Sequence, residues 1–225
     1  MGVVALGSGN DLARSLGVYG LAWDMALLQA IRGASSAIDV GLCTTAQGQW
    51  PFVSSLAGGF DAAVGHRAQA VPSWLRGMPR YLWATFEQLI HLRTYPVTAT
   101  LDGQAWHTGP SLFVSVLNTP TYGAGMPAVP HATPGDGLLN VVVAGELNRL
   151  STIALLPRLL AGQHLTHPQV QTRQMRHLEV HSAEPLTLAA DGEPLPSCTQ
   201  WSVKVMASAL QVVSMPPNAA TIMPT

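Results

Sequence analysis

Five aspartates in this sequence stand where a chain commonly turns, and their carboxylates are the groups best suited to chemistry. They are Asp11, Asp39, Asp61, Asp136 and Asp191. Asp136 and Asp191 each precede a glycine, a pattern that turn formation alone explains. In a chain with only 10% charged residues, several carboxylates on one β-rich domain also provide the hard oxygen ligands that Mg²⁺ prefers. Two interpretations therefore stay open, ordinary turn residues or a magnesium site.

A glycine turn near the N-terminus is the second candidate site. The run Gly7-Ser8-Gly9-Asn10 leads into a short helix expected to start at Asn10 or Asp11 and to end at Leu16. The amide groups of such a turn suit an anion such as a phosphate. The run matches neither GxxxxGK[ST] nor GxGxxG, because no lysine follows and Leu12 occupies the third glycine position. A simple strand-to-helix turn explains it equally well.

Composition excludes several classes of protein. With 225 residues, 48% of them hydrophobic, the chain can bury a large core, so a disordered protein is excluded. A net charge of -1 and a single lysine, Lys204, exclude a nucleic-acid partner. Cys43 and Cys198 form no disulfide framework, and no secretory signal is present, so we expect a cytoplasmic protein. His164 and His167 have no neighbouring Cys or acidic residue at the spacing of zinc ligands, so a zinc site is not expected. The sequence contains no G-x-S-x-G elbow, so a hydrolase is not expected either.

The elements that must position these groups are mainly strands. The segment from Val3 to Leu6 is typical of the end of a strand. Residues 22 to 32 are typical of a short helix. From residue 36 onward, short runs rich in Val, Ile, Thr and aromatic residues predict a sandwich-like β domain. Strands are expected near 36–43, 50–57, 96–102, 111–118, 138–144, 177–183, 185–190, 201–206 and 209–214. Apolar spacing predicts helices over 73–93 and 147–161.

Five motifs in order resemble the bacterial diacylglycerol kinase and sphingosine kinase superfamily of lipid kinases. LGSGNDLARSLG (6–17) resembles the Gly-Thr-Gly-Asn-Asp segment of that family, with Ser8 in place of the usual threonine. AIDVG (37–41) is similar to its Asp-bearing strand, and FVSSLAGGFDAAV (52–64) to its Gly-Phe-Asp segment. NTPTYGAGMPAVPHATPGDGLLNVVV (118–143) resembles its glycine-rich turn and Asp-Gly-Leu-Leu motif. AADGEP (189–194) resembles its Asp-Gly-Glu motif, so the resemblance spans essentially the whole chain.

The resemblance implies Mg²⁺-dependent transfer of a phosphoryl group from ATP to the hydroxyl of a lipid such as diacylglycerol. Carried over by position, Asp191 would be the general base, with Glu193 beside it in the reacting site. Asp11, Asp39 and Asp61 would form a water-bridged acidic network around a catalytic Mg²⁺. Asp136, with the backbone carbonyl of Leu138, would hold a second, structural Mg²⁺. Gly7, Ser8, Gly9, Asn10 and Asp11 would line the nucleotide side.

The family also has an N-terminal α/β domain with a Gly-Gly-Asp-Gly nucleotide loop, and no such string occurs in residues 1–225. We therefore expect residues 1–33 to be a remnant of that α/β domain, residues 34–215 to be the β-sandwich C-terminal domain, and 216–225 to be a tail. The predicted function is that of a lipid kinase, and the chain is expected to be truncated. The alternative is a non-catalytic lipid- or protein-binding domain that keeps the kinase fold.

Two interactions besides substrate binding are expected. The helix over 73–93 carries Trp74 and Arg80 beside its apolar stripe, a combination that suits peripheral contact with the inner face of a membrane. An amphipathic helix that covers a sheet explains the same pattern. Strand edges next to the nucleotide domain could also pair between two copies, so a homodimer is a further hypothesis.

Overall fold

The structure is a computed structural model that describes residues 1–7, 9–72 and 74–214. Ser8 of the expected nucleotide turn and the expected tail over 216–225 lie outside the described residues. Five α-helices are present in these ranges: α1 (Asp11–Ser15), α2 (Trp23–Arg32), α3 (Phe60–Ala70), α4 (Met78–Gln88) and α5 (Arg149–Leu160). The ten strands are β1 (Ser35–Thr45), β2 (Gly48–Phe52), β3 (Ser55–Gly58), β4 (Tyr95–Leu101), β5 (Gln104–Ser111), β6 (Phe113–Leu117), β7 (Leu139–Ala144), β8 (Val170–Met175), β9 (His177–Ala190) and β10 (Glu193–Val213).

All strand pairs are antiparallel, and the main path runs β2-β1-β10-β9-β3-β6-β7-β8. The long strand β9 has two partners along one edge. Its residues 178–182 pair with β4, whereas its residues 188–190 pair with β3. The sheet therefore divides at β9 into two branches, with β4 and β5 on one and β3, β6, β7 and β8 on the other. This arrangement confirms the expected mainly-β, sandwich-like fold class with peripheral helices.

Strand β7 shows how the sequence produces the layers. All six of its residues are buried, because each face of the strand is covered. Leu139, Val141 and Val143 pack into the large apolar core that the strands enclose. Val142 and Ala144 point to the opposite face, where they join apolar clusters that include Leu155 of α5. Its continuous apolar run therefore fits a central strand with a helical layer on one side.

The N-terminal segment packs against the end of the sheet. Ala13, Leu16 and Val18 form a small apolar cluster with Ile38 of β1 and Val212 of β10. The main chain adds a direct link, since the Val213 N–H donates to the Met1 carbonyl at 2.9 Å. Residues 1–33 thus share a core with the β domain, and the expected domain boundary after residue 33 stays a prediction.

Several expected elements differ from those observed. The segment from Val3 to Leu6 is not a strand. The expected strand over 50–57 is two strands that break at Val53 and Ser54, because the N–H groups there bind a carboxylate instead of a neighbouring strand. The expected helix over 73–93 is the shorter α4 followed by a 3₁₀ turn at Leu89–His91. Helix α3 and strands β5 and β8 were not expected. The observed bounds of α2, α5, β4, β6 and β7 lie within two residues of the expected ones at every end.

Candidate functional site

Asp191 occupies a two-residue turn between β9 and β10, and its carboxylate is fixed by the main chain. Asp191 has a φ of 48° and Gly192 a φ of 88°, the left-handed pair that a tight antiparallel hairpin requires. Its Oδ1 accepts from the N–H groups of Ser54 at 2.8 Å and Ser55 at 2.9 Å, and its Oδ2 from the Val53 N–H at 2.7 Å. A carboxylate offers about four acceptor positions, so roughly one is left for a substrate.

Two effects act on the pKa of Asp191 in opposite directions. Desolvation raises the pKa of its carboxyl above the ordinary value, and the three N–H donors at Val53, Ser54 and Ser55 lower it. The net direction is upward, which makes the carboxylate a better proton acceptor than an ordinary aspartate. Glu193 is exposed at the first position of β10, two residues beyond Asp191.

Asp61 lies in the first turn of α3 and binds two hydroxyl groups. Ser115 Oγ donates to Asp61 Oδ2 at 2.6 Å, and the Tyr122 hydroxyl donates to the same carboxylate. Burial raises the pKa of Asp61 to about 6, although both hydrogen bonds oppose the rise. Burial, followed by the charge of Asp61, raises the pKa of Tyr122 well above its ordinary value, so this phenol keeps its proton. Asp61 therefore titrates closer to neutral pH than an ordinary aspartate.

Asp11 begins α1 and holds the glycine-rich loop over residues 121–125. Its Oδ1 accepts from the Thr121 hydroxyl and from the Gly125 N–H, both at 2.8 Å, and its Oδ2 from the Ala124 N–H at 3.1 Å. The preceding turn is closed locally, because the Gly7 N–H donates to Asn10 Oδ1 at 3.0 Å. Asp11 thus connects the candidate nucleotide turn, with Gly7, Gly9 and Asn10, to the loop that carries Tyr122.

Asp39 and Asp136 are brought together at the Asp-Gly turn over 136–137. Asp39 is fully buried at a bulge of β1, where it accepts from the N–H groups of Gly137 and Ser208, both at 2.7 Å. Asp136 is exposed, and its Oδ1 accepts from the Leu138 N–H at 3.0 Å. The side chain of Asp39 thus anchors the Asp-Gly turn at 136–137. Its backbone carbonyl accepts from Asn118 Nδ2 at 2.8 Å.

An apolar cavity of about 130 Å³, partly open to solvent, lies between the sheet and helices α3, α4 and α5. Asp61 and Gly192 line it, as does Ser55, whose N–H binds Asp191. Tyr122 and Gly123 of the loop held by Asp11 also line it. Most of the remaining wall is aliphatic or aromatic, including Leu112, Phe113, Leu117, Met126, Val142, Leu147, Leu155, Leu156 and Leu159. The cavity therefore combines an apolar interior with acidic groups at one end.

The structure brings some of the expected site residues together. Asp61 lines the cavity, and both Asp11 and Asp191 bind segments that line it. The charges of Asp11 and Asp61 both raise the pKa of Tyr81 in the cavity wall, after the larger effect of burial. The side chain of Asp39 instead binds Gly137 and Ser208, outside this wall.

Several residues of the site were not expected from the sequence. Asn118 Nδ2 donates to the carbonyls of Asp39 and Val53, at 2.8 and 3.0 Å, and so connects β1 to the amides that hold Asp191. Tyr81, Ser115 and Tyr122 have no fixed spacing from the aspartates in the sequence, so no motif signals them. Asn118 is the first residue of the glycine-rich segment over 118–143. Its place in that segment was the signal in the sequence that could have identified it.

The donor sets offer oxygen ligands without a ready-made metal cluster. Among residues 1–7, 9–72 and 74–214, no group of three or more His, Cys, Asp or Glu side chains is arranged to hold a metal ion. Asp11 and Asp61 carry hydrogen-bond donors on their carboxylates, which suits contact with a hydrated ion better than a closed ligand cage. The exposed Asp136 has oxygens accessible to solvent. None of the described helices is long and apolar enough to span a bilayer.

Comparison with known proteins connects this geometry to one group of enzymes. Residues 54–214 match the YegS C-terminal NAD kinase beta sandwich-like domain, and residues 1–43 match the diacylglycerol kinase catalytic domain. A diacylglycerol kinase of Mycobacterium tuberculosis is 30% identical over 218 residues, which cover 95% of this chain and 68% of that protein. A diacylglycerol kinase of Bacillus subtilis is 25% identical over 193 residues, covering 86% of this chain and 62% of its own length.

Solved structures show the same fold. The crystal structure of a diacylglycerol kinase from Bacillus anthracis superimposes with a TM-score of 0.70 at 18% identity, over 93% of this chain and 67% of that chain. Yeast NADH kinase in complex with NADH superimposes with a TM-score of 0.51 at 9% identity, over 87% of this chain and 49% of that chain. At these identities the likeness concerns the fold alone.

Proposed function

Because this chain belongs to the YegS and diacylglycerol kinase family of lipid kinases, we propose that its cavity binds a lipid alcohol for phosphorylation by ATP. The observation that carries the proposal is the cavity itself, which is apolar along most of its wall and acidic at the end next to Asp191. A lipid bound there has its apolar chain in the cavity and its hydroxyl near the carboxylates. Diacylglycerol is the substrate that the names of the relatives suggest.

Asp191 is the proposed general base. Its free acceptor position takes the hydrogen bond of the lipid hydroxyl, and its carboxylate takes the proton as the hydroxyl oxygen attacks the terminal phosphorus of ATP. The bond from that phosphorus to the bridging oxygen breaks, and ADP leaves with the bonding electron pair. The amides of Val53, Ser54 and Ser55 keep the carboxylate in place throughout. Glu193, two positions further along the chain, is proposed to border the same reacting site.

Mg²⁺ is the proposed metal, and when bound it would neutralise charge on the phosphates of ATP. Asp11 and Asp61 are proposed to bind it through water, with Asp39 contributing to the same acidic network. Asp136 and the carbonyl of Leu138 are proposed to hold a second ion at the Asp-Gly turn. Gly7, Gly9 and Asn10, together with Asp11, are proposed to face the nucleotide.

A membrane surface fits the same arrangement. Helices α4 and α5 line the cavity on their inner faces, and Arg149 at the start of α5 donates to the carbonyl of Ile90 at 2.8 Å. Their outer faces expose apolar side chains, with Phe86 53% exposed and Leu150 78% exposed. Arg80 donates to the Val71 carbonyl at 2.9 Å, so its guanidinium group binds the protein main chain and is not the expected contact for a lipid headgroup. We therefore propose that this surface docks on the bilayer mainly through apolar contacts.

The membrane proposal is tested by sedimentation with phospholipid vesicles. Replacing Trp83 and Phe86 together by Ala removes two exposed aromatic side chains beside the cavity and should weaken binding. Trp23→Ala is the control, because Trp23 is also exposed but lies on α2. Equal loss in both variants would show that vesicles bind aromatic side chains without regard to their place.

The kinase proposal is tested with protein purified from its source cells, supplied with radiolabelled ATP, Mg²⁺ and diacylglycerol in mixed micelles. Labelled phosphatidic acid is the expected product. The alternative is a lipid- or protein-binding domain without catalysis, for which the apolar cavity alone is sufficient. Lipid binding without any phosphate transfer, under conditions in which a diacylglycerol kinase relative is active, would support that alternative and refute the kinase proposal.

A further inference from the structure

Gly65 is a glycine in the middle of helix α3 that neither backbone conformation nor packing requires. Its backbone is that of an ordinary helix, without the positive φ that favours glycine. A Cβ placed at Gly65 would meet no heavy atom within 4 Å apart from its chain neighbours and the backbone of its own helix. Alanine would fit there, and a glycine inside a helix is less stable than an alanine. Folding therefore does not explain why this position lacks a side chain.

The open space beside Gly65 belongs to the cavity. Gly65 lines the cavity wall, as Asp61 does one turn earlier on the same helix. Residues four apart lie on the same face of a helix, so Gln69 continues this face one turn later. Gln69 Nε2 donates to the carbonyl of Gly192 at 2.6 Å, and Gly192 directly follows Asp191. Gly65 thus stands between Asp61 and the turn that carries the proposed base.

This placement puts Gly65 beside the reacting end of a bound lipid. Gln69 is exposed, whereas Gly65 is half-buried, so the helix face runs from the protein surface into the cavity. Four residues of helix rise by about 6 Å. A lipid whose hydroxyl binds Asp191 would therefore have the carbons nearest that hydroxyl next to Gly65. In diacylglycerol one of those carbons carries the second acyl ester, so this part of the molecule is wider than a single chain.

We propose that Gly65 sets the width of the cavity at this end, and that its missing side chain makes room for a lipid branched beside its hydroxyl-bearing carbon. The inference rests on the proposed lipid site and deepens it, because it separates branched acylglycerols from single-chain alcohols. Gly65 is then a specificity-determining residue that takes no part in the transfer of the phosphoryl group. A larger side chain at this position should exclude the branch and still admit a single chain.

The test measures lipid binding without ATP, so that it is independent of kinase activity. Dioctanoylglycerol and 1-dodecanol are both primary alcohols, and only the first is branched beside its hydroxyl-bearing carbon. Each competes with a fluorescent fatty acid for binding to the full chain. Gly65→Val should weaken the binding of dioctanoylglycerol about tenfold or more, the effect of at least one methylene group of excess bulk in an apolar pocket. The binding of 1-dodecanol should stay the same.

Two further variants separate the width of the cavity from the stability of the helix. Gly65→Ala adds a single methyl group, so it should raise the midpoint of urea denaturation and weaken the binding of dioctanoylglycerol less than Gly65→Val does. Ala63→Val is the matched control, because Ala63 lies on the same helix but outside the cavity wall. This control should leave the binding of both lipids unchanged.

The outcomes distinguish the role of Gly65 from the lipid site on which it depends. If the native chain bound neither lipid, the lipid cavity itself would be refuted, and the role of Gly65 with it. If the native chain bound only 1-dodecanol, or if Gly65→Val weakened the binding of both lipids equally or of neither, only the role of Gly65 would be refuted. The same conclusion would follow if Ala63→Val reproduced the selective loss.

Discussion

Replacement of Asp191 by Asn tests the proposed base with the smallest change of shape. The amide oxygen of Asn can still accept from Ser54 and Ser55, as Asp191 Oδ1 does at 2.8 and 2.9 Å. The amide nitrogen would stand where Oδ2 accepts from the Val53 N–H at 2.7 Å, so two donors would face each other. Leaving that N–H unpaired costs about 1–3 kcal/mol. The loss of a general base lowers the rate by about 10²–10⁴.

Asp102 provides the matched control, because it stands in the same kind of turn. Its φ is also 48°, Gly103 follows, and its Oδ1 accepts from the N–H groups of Arg176 at 3.0 Å and His177 at 2.8 Å. One amide oxygen can keep both of these hydrogen bonds, so Asp102→Asn should cost about 0.5–1.5 kcal/mol. It should leave phosphate transfer unchanged.

The assay compares kcat for diacylglycerol phosphorylation, measured below the unfolding transitions of both variants, and urea denaturation supplies the stabilities. A fall in kcat for Asp191→Asn alone, with an unchanged KM for ATP, is the expected result. If Asp102→Asn lost activity to the same degree, disruption of an Asp-Gly turn would be the cause. If Asp191→Asn kept its activity, Asp191 would not be the base.

Two further predictions concern stability. Because burial raises the pKa of Asp61 from 3.8 to about 6, its protonated form is favoured in the folded state. That contribution is complete below the ordinary pKa and is lost as pH rises through about 6, by at most about 3 kcal/mol at 1.36 kcal/mol per pKa unit. Asp61→Asn should flatten the fall in unfolding free energy over this range, and an unchanged slope would contradict the assignment. Asp39→Ala should cost about 2–5 kcal/mol in urea denaturation, because it leaves the N–H groups of Gly137 and Ser208 unpaired. Asp24→Ala is its control, since Asp24 is exposed and binds only the N–H of Met25 among the described residues, and equal losses in both variants would argue against a special role for burial.

The strands were predictable where burial is strong. The run of valines in β7 and the alternation in β4 carry a signal that the sequence shows directly. Helix α3 was missed because its buried residues are mostly small, including Ala62 and Ala68, so it lacks a clear apolar stripe. Strand β8 was missed because it is the outermost strand at its end of the path and carries polar residues such as Thr172 and Gln174.

The candidate site was only partly predictable for a related reason. The motifs predict Asp11, Asp61 and Asp191 as site residues, but the partners of these side chains depend on how distant segments pack. Tyr122 is far from Asp61 in the sequence, yet the two side chains form a hydrogen bond. That contact depends on the conformation of the loop over 121–125, which Asp11 holds in place. The cavity is likewise a product of packing, since helices and strands far apart in sequence form its wall.

The Asp-Gly turns show why local chemistry alone does not identify a functional carboxylate. Asp102 and Asp191 share a φ of 48°, and each accepts from backbone N–H groups of a neighbouring segment. What distinguishes Asp191 is that its neighbouring segment includes Ser55, and that Ser55 and Gly192 line the cavity. The same kind of turn thus occurs at two places in the fold, and the turn at Asp191 and Gly192 adjoins the proposed lipid cavity. A comparison of the two Asn variants therefore separates the geometry of the turn from the chemistry of its location.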